Sequence, residues 1–294
     1  MDPTPELVRA ARIGPSLVLT IDHPPVNVLS RPVLEQLGRR LATAPDDEDV
    51  RAVVLTGAAE KAFSAGANIR DMAPMSRAEA LDYGGLGQAL TRTIERLPLP
   101  VIAAVHGVAF GGGCEIALAC DFVVASEDAQ FAQPEINLGI LPGWGGSQRL
   151  PARIGPARAR RWILTGRPVT AADAAIAGFV DRVVPRSELL PAALALAEEL
   201  ARKPPLALAA AKYAIHRAMY PDIDAGLRYE LELWAQLFGS VDQREGMNAF
   251  LTRQPPPLLS RRDWVQRSDG FPWARPRVSA ATRKRKRPHA SRKR

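Results

Sequence analysis

The stretch Ala104-Val105-His106-Gly107-Val108-Ala109-Phe110-Gly111-Gly112-Gly113-Cys114-Glu115 decides how the rest of this 294-residue chain is read. It begins as the end of an apolar strand, Val101–Val105, and turns at His106-Gly107. After three glycines it enters a helix, Glu115–Cys120. Three glycines ahead of a helix leave its first N–H groups uncovered at the positive end, where an anion or a polarised carbonyl can sit. The same glycines equally suit close helix–strand packing that tolerates no side chain. Neither a Walker A pattern nor a G-x-G-x-x-G fingerprint is present, so the glycines do not by themselves imply a nucleotide phosphate.

Working outward, strand and helix alternate through the first half of the chain, the pattern of an α/β fold. Val8–Arg12 and Leu17–Asp22 read as a hairpin about Gly14-Pro15. Ser30-Arg31-Pro32 opens a helix carrying Leu34, Leu37 and Leu41, and Val50–Thr56 is a β-branched apolar strand. Phe63–Gly66 reads as a loop of small residues. Ser76–Leu97 reads as one long helix, although Gly84, Gly85 and Gly87 argue against it. Phe122–Ala125 and Gln130–Ala132 are further short strands.

The second half is mostly helical: Pro156–Thr165, a helix opened by the capping box Thr170-Ala171-Ala172-Asp173, then Glu188–Arg202, Pro204–Met219, Ile223–Phe238 and Asp242–Thr252. Phe179–Val184 is a short strand between them. Leu227, Leu231, Trp234 and Phe238 form an apolar stripe suited to a core or a subunit interface.

Composition bounds the function classes. The chain is 47% hydrophobic and 24% charged, as expected of a globular protein. No apolar run approaches the roughly 18–20 residues that cross a bilayer. The N-terminus, Met1-Asp2-Pro3-Thr4-Pro5-Glu6, lacks the features of a secretory signal or a transit peptide, which predicts a cytoplasmic location. Cys114 and Cys120 lie too far around a helix to bridge and read as small core residues. The four histidines show no metal-ligand spacing, so no metal is expected.

The net charge of +8 belongs to the C-terminus. Residues 260–294 hold 13 Lys and Arg against 2 Asp and Glu, a net of +11; the remainder holds 26 against 29, a net of −3. The segment is read as a disordered tail because it offers too little apolar surface to offset its ordering entropy. Its charge would attract nucleic acid largely without regard to sequence, which keeps open an RNA- or DNA-binding role.

Two further segments carry chemistry. Lys61–Met72 places small residues around Gly66, where a ligand could approach the backbone closely, or where the chain merely turns. Gln130-Phe131-Ala132-Gln133-Pro134-Glu135 presents a glutamate in an apolar setting. Desolvation there would raise its pKa and favour a proton-donating role, whereas an exposed loop position would leave it an ordinary charge. With Glu115 it makes a pair of carboxyls suited to acid–base work.

Taken together and in order, these motifs resemble the crotonase superfamily, the enoyl-CoA hydratases and isomerases, from about Leu17 to Phe250. Pro25–Ser30, Phe63–Met72, Gly111–Glu115, Gln133–Glu135 and Pro142–Leu150 carry the resemblance, with Glu245–Phe250. It implies a spiral of ββα repeats over residues 1–200 that holds the CoA-thioester site. A helical trimerisation region over 201–256 would follow, then the basic tail over 257–294. Trimers or dimers of trimers are implied, as is an acyl-CoA thioester substrate, with no separate cofactor because coenzyme A is part of that substrate.

By motif position the oxyanion donors fall on the N–H groups of Ala67 and Gly112, and the catalytic pair on Glu115 and Glu135. Both glutamates being present favours hydration of a trans-2-enoyl-CoA over double-bond isomerisation or another thioester reaction on the same scaffold. Contacts to substrate and CoA are implied for Val26, Val28, Ala65, Asn68, Ile69 and Arg70, besides the two donor residues. Pro134 and Gly143 complete that set. Two departures stand out. Asn68 replaces an aspartate common in the family, and no basic residue matches the usual CoA-phosphate position, which leaves Arg253 or Arg261 to substitute. Trp144 and Phe110 read either as acyl-pocket lining or as core.

Overall fold

The computed structural model describes residues 5–217, together with 252 and 254. The expected helix over Ile223–Phe238, nearly all of that over Asp242–Thr252, Arg253 and Arg261, most of the 201–256 region and the basic tail lie outside the described residues.

The architecture is one unit repeated. A strand of a large sheet is followed by a strand of a smaller sheet and then by a helix. Strands β1 (Val8–Ile13) and β2 (Ser16–Ile21) form the expected hairpin, and β3 (Val28–Leu29) and helix α1 (Arg31–Thr43) complete the first turn. The second turn runs β4 (Ala52–Gly57), β5 (Ala62–Ser64), β6 (Gly66–Ala67), the short α2 (Ile69–Met72) and α3 (Arg77–Arg96). The third is β7 (Val101–Val105), β8 (Val108–Phe110) and α4 (Gly112–Ala119). The fourth is β9 (Phe122–Ser126), β10 (Gln130–Ala132), a 3-10 turn at Pro134–Leu138 and α5 (Gly146–Ile154). Helix α6 (Pro156–Thr165), β11 (Val169–Thr170), α7 (Ala171–Ile176), β12 (Arg182–Val184), α8 (Leu189–Ala201) and α9 (Pro205–Arg217) follow.

The large sheet has the order β1-β2-β4-β7-β9-β12 and is parallel from β2 onward. The smaller sheet has the order β11-β10-β8-β5, and β3 pairs with β6 separately. Successive turns of the spiral therefore stack strand on neighbouring strand, and α4 begins where β8 of the smaller sheet ends. This is the spiral of ββα repeats that the resemblance implies.

Both faces of the inner strands β4, β7 and β9 are covered, which is why these read as unbroken apolar runs. On one face Val53, Leu55, Val101, Ala103 and Val105 join the interior with Leu34, Leu37 and Ile94. On the other, Ala52, Val54, Ile102 and Ala104 pack against Leu189, Ala193 and Ala197 of α8. The alternation along β4 and β7 is the period-two pattern of a strand, with apolar residues in both phases.

Several sequence expectations are refined. The segment Phe63–Gly66 is two short strands, β5 and β6, because their backbones pair with β8 and β3. Helix α4 starts at Gly112, three residues earlier than expected, and ends before Cys120, which is its C-cap. The strand expected over Phe179–Val184 is confined to β12, because Phe179 is a buried aromatic packed on Phe131 and Trp162. Helix α3 is continuous through its glycines and is opened by a capping box at Ser76 and Glu79. Helix α5 has no counterpart among the sequence expectations: its glycine-rich start and internal Pro151 argue against a helix, yet Leu150 and Ile154 bury its inner face.

Helix α9 is fastened to the core by a buried lysine. Lys212 Nζ donates to Ile94 O and Leu99 O at 3.0 Å each and to Asp121 Oδ2 at 2.7 Å. Asp121 Oδ2 also accepts from Val101 N, at the start of β7. Burial would raise the Asp121 carboxyl, but Lys212, the His216 ring and the Val101 N–H outweigh it and hold it below its usual range. A group so depressed contributes stability that is present above its unfolded pKa and is lost as pH falls through the folded one. Replacing Lys212 by Met strands the Asp121 charge, so Lys212→Met is expected to lose about 3–5 kcal/mol of unfolding free energy at pH 7. Urea titration checks this, and a loss below about 1 kcal/mol would mean that the pair is not the fastening it looks to be.

Candidate active site

Three backbone segments converge where the smaller sheet meets α4. The first is β6. Its approach to α4 is so close that a Cβ added to Gly66, whose φ is +91°, would lie 2.6 Å from Phe110 O and 3.2 Å from Gly112 N. The Gly66–Ala67 peptide and the Gly112 N–H are thereby placed side by side. Val28 pairs with Gly66 and Leu29 with Ala67, and Ala65 N donates to Val26 O at 2.9 Å. Val26, Val28, Ala65 and Ala67 thus belong to one small backbone platform facing Gly112. The Asn27 side chain braces it from beneath, its Nδ2 donating to Ala62 O and Phe63 O, while Ser64 Oγ donates to Asn27 O.

The second segment is the start of α4. Gly111 has a φ of +52° and its N–H donates to Ala132 O on β10. Gly112 is the first helical residue, so its N–H has no carbonyl one turn back to receive it. A Cβ at Gly113 would lie 2.4 Å from Ser64 O, which explains the third glycine as close packing against β5. The triglycine thus combines an uncovered N–H at Gly112 with close packing at Gly113.

The third segment runs from Gln133 to Gly146 and brings the two glutamates together. Glu115, on the first turn of α4, is buried, and its Oε1 accepts from Trp144 N and Gly146 N, each at 2.8 Å. Glu135 stands in the 3-10 turn, its Oε1 placed 3.2 Å from where a Gly111 Cβ would be. Its Oε2 is buried without a hydrogen-bond partner among the described residues. The two carboxyls are electrostatically coupled, for Glu115 helps to raise the Glu135 pKa.

Their environments differ. Burial pushes Glu135 up to about 7; the Glu115 charge adds to that, and only its own backbone N–H opposes it. Burial also raises Glu115, and it prevails over the two peptide N–H groups and the Arg149 charge that pull the other way. Both carboxyls are thus raised, but one is anchored by two N–H donors while the other, titrating near neutrality, keeps an unpartnered oxygen, an inequality that acid–base chemistry can use.

The turn that anchors Glu115 is held from outside. Arg149 Nη1 donates to Trp144 O at 2.7 Å, with Thr91 Oγ1 on the same oxygen at 3.1 Å. The Arg149 guanidinium makes a two-pronged pair with Glu95 of α3, at 2.5 and 2.8 Å. Sequence reasoning missed Arg149, Glu95 and the two turn N–H groups. The signal was present in Gly143-Trp144-Gly145-Gly146, since glycines flanking an aromatic before a helix mark a turn whose N–H groups face inward.

The remaining expected residues lie at the rim. Asn68 caps α2, its side chain accepting from Arg70 N and donating to Asp71 at 2.9 Å, so it orders this loop without supplying a carboxylate. Ile69 and Arg70 are exposed on α2. Pro134 begins the 3-10 turn beside Glu135. Gly143 is exposed and its carbonyl accepts from Gln88 Nε2. Phe110 is half-buried, and Trp144 is buried. Cys114 and Cys120 are buried free thiols, and burial raises both.

Comparison with known proteins shows the family. Residues 16–261 match the Enoyl-CoA hydratase/isomerase family, and the chain belongs to that family. It is 41% identical over 242 residues to a short-chain-enoyl-CoA hydratase of Clostridium acetobutylicum, a match covering 82% of this chain and 93% of that one. It is 40% identical over 245 residues to a crotonyl-CoA hydratase of Syntrophomonas wolfei, covering 83% and 94%. The crystal structure of an enoyl-CoA hydratase from Bacillus anthracis superposes with a TM-score of 0.81 at 36% identity, covering 85% of this chain and 98% of that one.

The raised pKa of Glu135 has a consequence for stability. A carboxyl whose folded pKa lies near 7 favours the folded state fully only below its unfolded pKa of about 4.3, and that contribution is lost as pH rises toward 7. Glu135→Gln removes the buried charge. The variant is expected to be more stable than the parent at pH 8, by about 1 kcal/mol or more, and the difference should shrink toward pH 5. Paired denaturation curves at the two pH values check this; a gap that does not vary with pH would place the titrating proton elsewhere.

Proposed function

We propose that the protein is an enoyl-CoA hydratase that adds water across the double bond of a trans-2-enoyl-CoA to give the 3-hydroxyacyl-CoA. The observation that carries the proposal is the pair of unequal carboxyls, one anchored by two peptide N–H groups and one titrating near neutrality, at the uncovered N–H end of α4. Family membership and the names of the curated relatives support the same reading.

In this mechanism the Ala67 and Gly112 N–H groups bond the thioester oxygen. They stabilise the enolate charge that grows there when Cβ is attacked, and as parts of a rigid backbone they need no reorganisation to do so. Glu115, held by Trp144 N and Gly146 N, directs its other oxygen at a water and takes up its proton as the water oxygen bonds to Cβ. Glu135 gives its proton to Cα as the enolate collapses to the thioester. The sum is one hydrogen and one hydroxyl across the former double bond, and passing one proton from Glu115 to Glu135 restores the site. Each group acts from one side of the bound chain, which makes the addition syn.

This chemistry draws its charge stabilisation from peptide dipoles and carboxyls, so the proposal calls for no cofactor besides the coenzyme A of the substrate. The half-buried Val26, Val28, Ala65 and Asn68 with the exposed Ile69 and Arg70 would take the CoA arm, with Pro134 and Gly143 on the acyl side. The proposal includes a trimer or dimer of trimers in the cytoplasm. Among the described residues no helix is long and apolar enough to cross a membrane. Light scattering behind size-exclusion chromatography should give three or six times the 31.8 kDa chain mass, and a monomer at micromolar concentration would end that part of the proposal.

The assay is the loss of enoyl absorbance from crotonyl-CoA. Glu115→Ala and Glu135→Ala are each expected to fold and to lose about 10²–10⁴-fold in kcat. Hydration needs Glu135 protonated, so kcat/KM should fall above pH of about 7, approaching tenfold per unit. Full activity in either variant would remove that glutamate from the mechanism, and a profile flat to pH 9 would remove Glu135 as the proton donor.

A further inference from the structure

The indole of Trp144 lies between two glycines on different helices. A Cβ added to Gly112 of α4 would fall 2.3 Å from Trp144 Cζ3 and 2.7 Å from Cε3, and one added to Gly87 of α3 would fall 2.2 Å from Cε2 and 2.3 Å from Nε1. The ring therefore fills the gap between the two helices from the Gly112 α-carbon to the Gly87 α-carbon. Tyr83, one turn before Gly87 on α3, packs against it edge to face at 5.8 Å, and Tyr83 Oη donates to Leu29 O at 2.5 Å. Beyond this pair α3 is open: Gly84 lies one turn before Gly87, and a Cβ there would meet nothing within 4 Å.

The backbone of Trp144 is fixed at both ends, by Glu115 on its N–H and by Arg149 and Thr91 on its carbonyl. The ring is thus an immobile wall whose inner edge touches the residue proposed to donate to the thioester oxygen. In a bound enoyl-CoA, the carbons beyond Cβ continue past the Glu115 carboxylate, which is itself seated on the Trp144 N–H. On the hydratase reading that course runs toward the indole, which borders Gly112.

We infer that Trp144 is the residue that sets acyl length, closing the pocket against α3 so that the site takes short enoyl chains of about four carbons and rejects long ones. The inference rests on the hydratase reading for the direction of the chain. Each methylene admitted to or excluded from such a pocket is worth about tenfold or more in kcat/KM, so a wall at this position gives a steep dependence on length.

The test compares trans-2-enoyl-CoAs of four and ten carbons in the wild type, Trp144→Ala, Trp144→Leu and the double variant Trp144→Ala/Gly87→Leu. The Gly87 Cβ direction points into the volume the indole vacates, so a leucine there refills it from the α3 side. The wild type should prefer four carbons to ten by about 100-fold or more. Trp144→Ala should reduce that preference at least about tenfold, Trp144→Leu should move it the same way by less, and the double variant should restore it. Each quantity is a ratio within one protein, so a general loss of turnover from a disturbed Glu115 seat does not mimic it.

Calorimetric binding of butyryl-CoA and decanoyl-CoA gives a second readout that needs no reaction, and should show decanoyl affinity rising in both single variants. A wild type that turns over ten carbons as well as four, or variants whose length ratio and decanoyl affinity match the wild type, would overturn the inference. A wild type that hydrates no enoyl-CoA while binding butyryl-CoA well above decanoyl-CoA would end the hydratase reading and leave the gate standing.

Discussion

One oxygen of Glu115, accepting hydrogen bonds from two peptide N–H groups on the far side of the site, is the contact on which the arrangement depends. It ties the first turn of α4 to the turn before α5, two elements that the spiral brings together from about thirty residues apart. A buried carboxylate without those donors would be costly, and a turn with two inward N–H groups and no acceptor would be costly as well. Each makes the other tolerable. The bond also orients the carboxyl, leaving one oxygen committed and the other available, and it fixes the Trp144 peptide from which the indole projects.

Around that contact the electrostatics follow from depth and neighbours. Glu115 and Glu135 are the same residue type in the same site, yet one is supplied with N–H donors and a nearby guanidinium while the other has a buried, unpartnered oxygen. Here the surroundings are backbone, glycine and aromatic carbon, and the low polarity makes each donor count for more.

The alternation of strand and helix was legible because it is local, while the winding into a spiral came with the family resemblance. Each apolar strand, glycine turn and helix start is marked within a few residues, as at Val101–Glu115, and the two glutamates and the Gly66 loop could be singled out from their own surroundings. What stayed illegible depends on contacts between distant segments. Helix α5 forms in spite of its own glycines and proline because Leu150 and Ile154 are needed in the core. Gly87 looks like a helix breaker until the Trp144 ring, 57 residues later in the chain, is laid against it. Arg149 and Glu95 carry no local mark that they meet, since nothing in either neighbourhood records the other. The short strand β6 is invisible by propensity, because Gly66 and Ala67 have little tendency to extend and pair only since β3 is there to receive them.

The buried ammonium of Lys212 bears on how the chain comes to be folded during its synthesis. Its acceptors at Ile94, Leu99 and Asp121 precede it by 118, 113 and 91 residues. Until α9 has left the ribosome, the carbonyls of Ile94 and Leu99 before β7 and the carboxylate of Asp121 before β9 lack their ammonium, so the third turn of the spiral stays open to solvent while the fourth is being made. Closure comes late and from the C-terminal side. A chain halted before residue 212 would thus hold a nearly complete spiral with its middle turn unsealed, the kind of intermediate on which chaperones and proteases act.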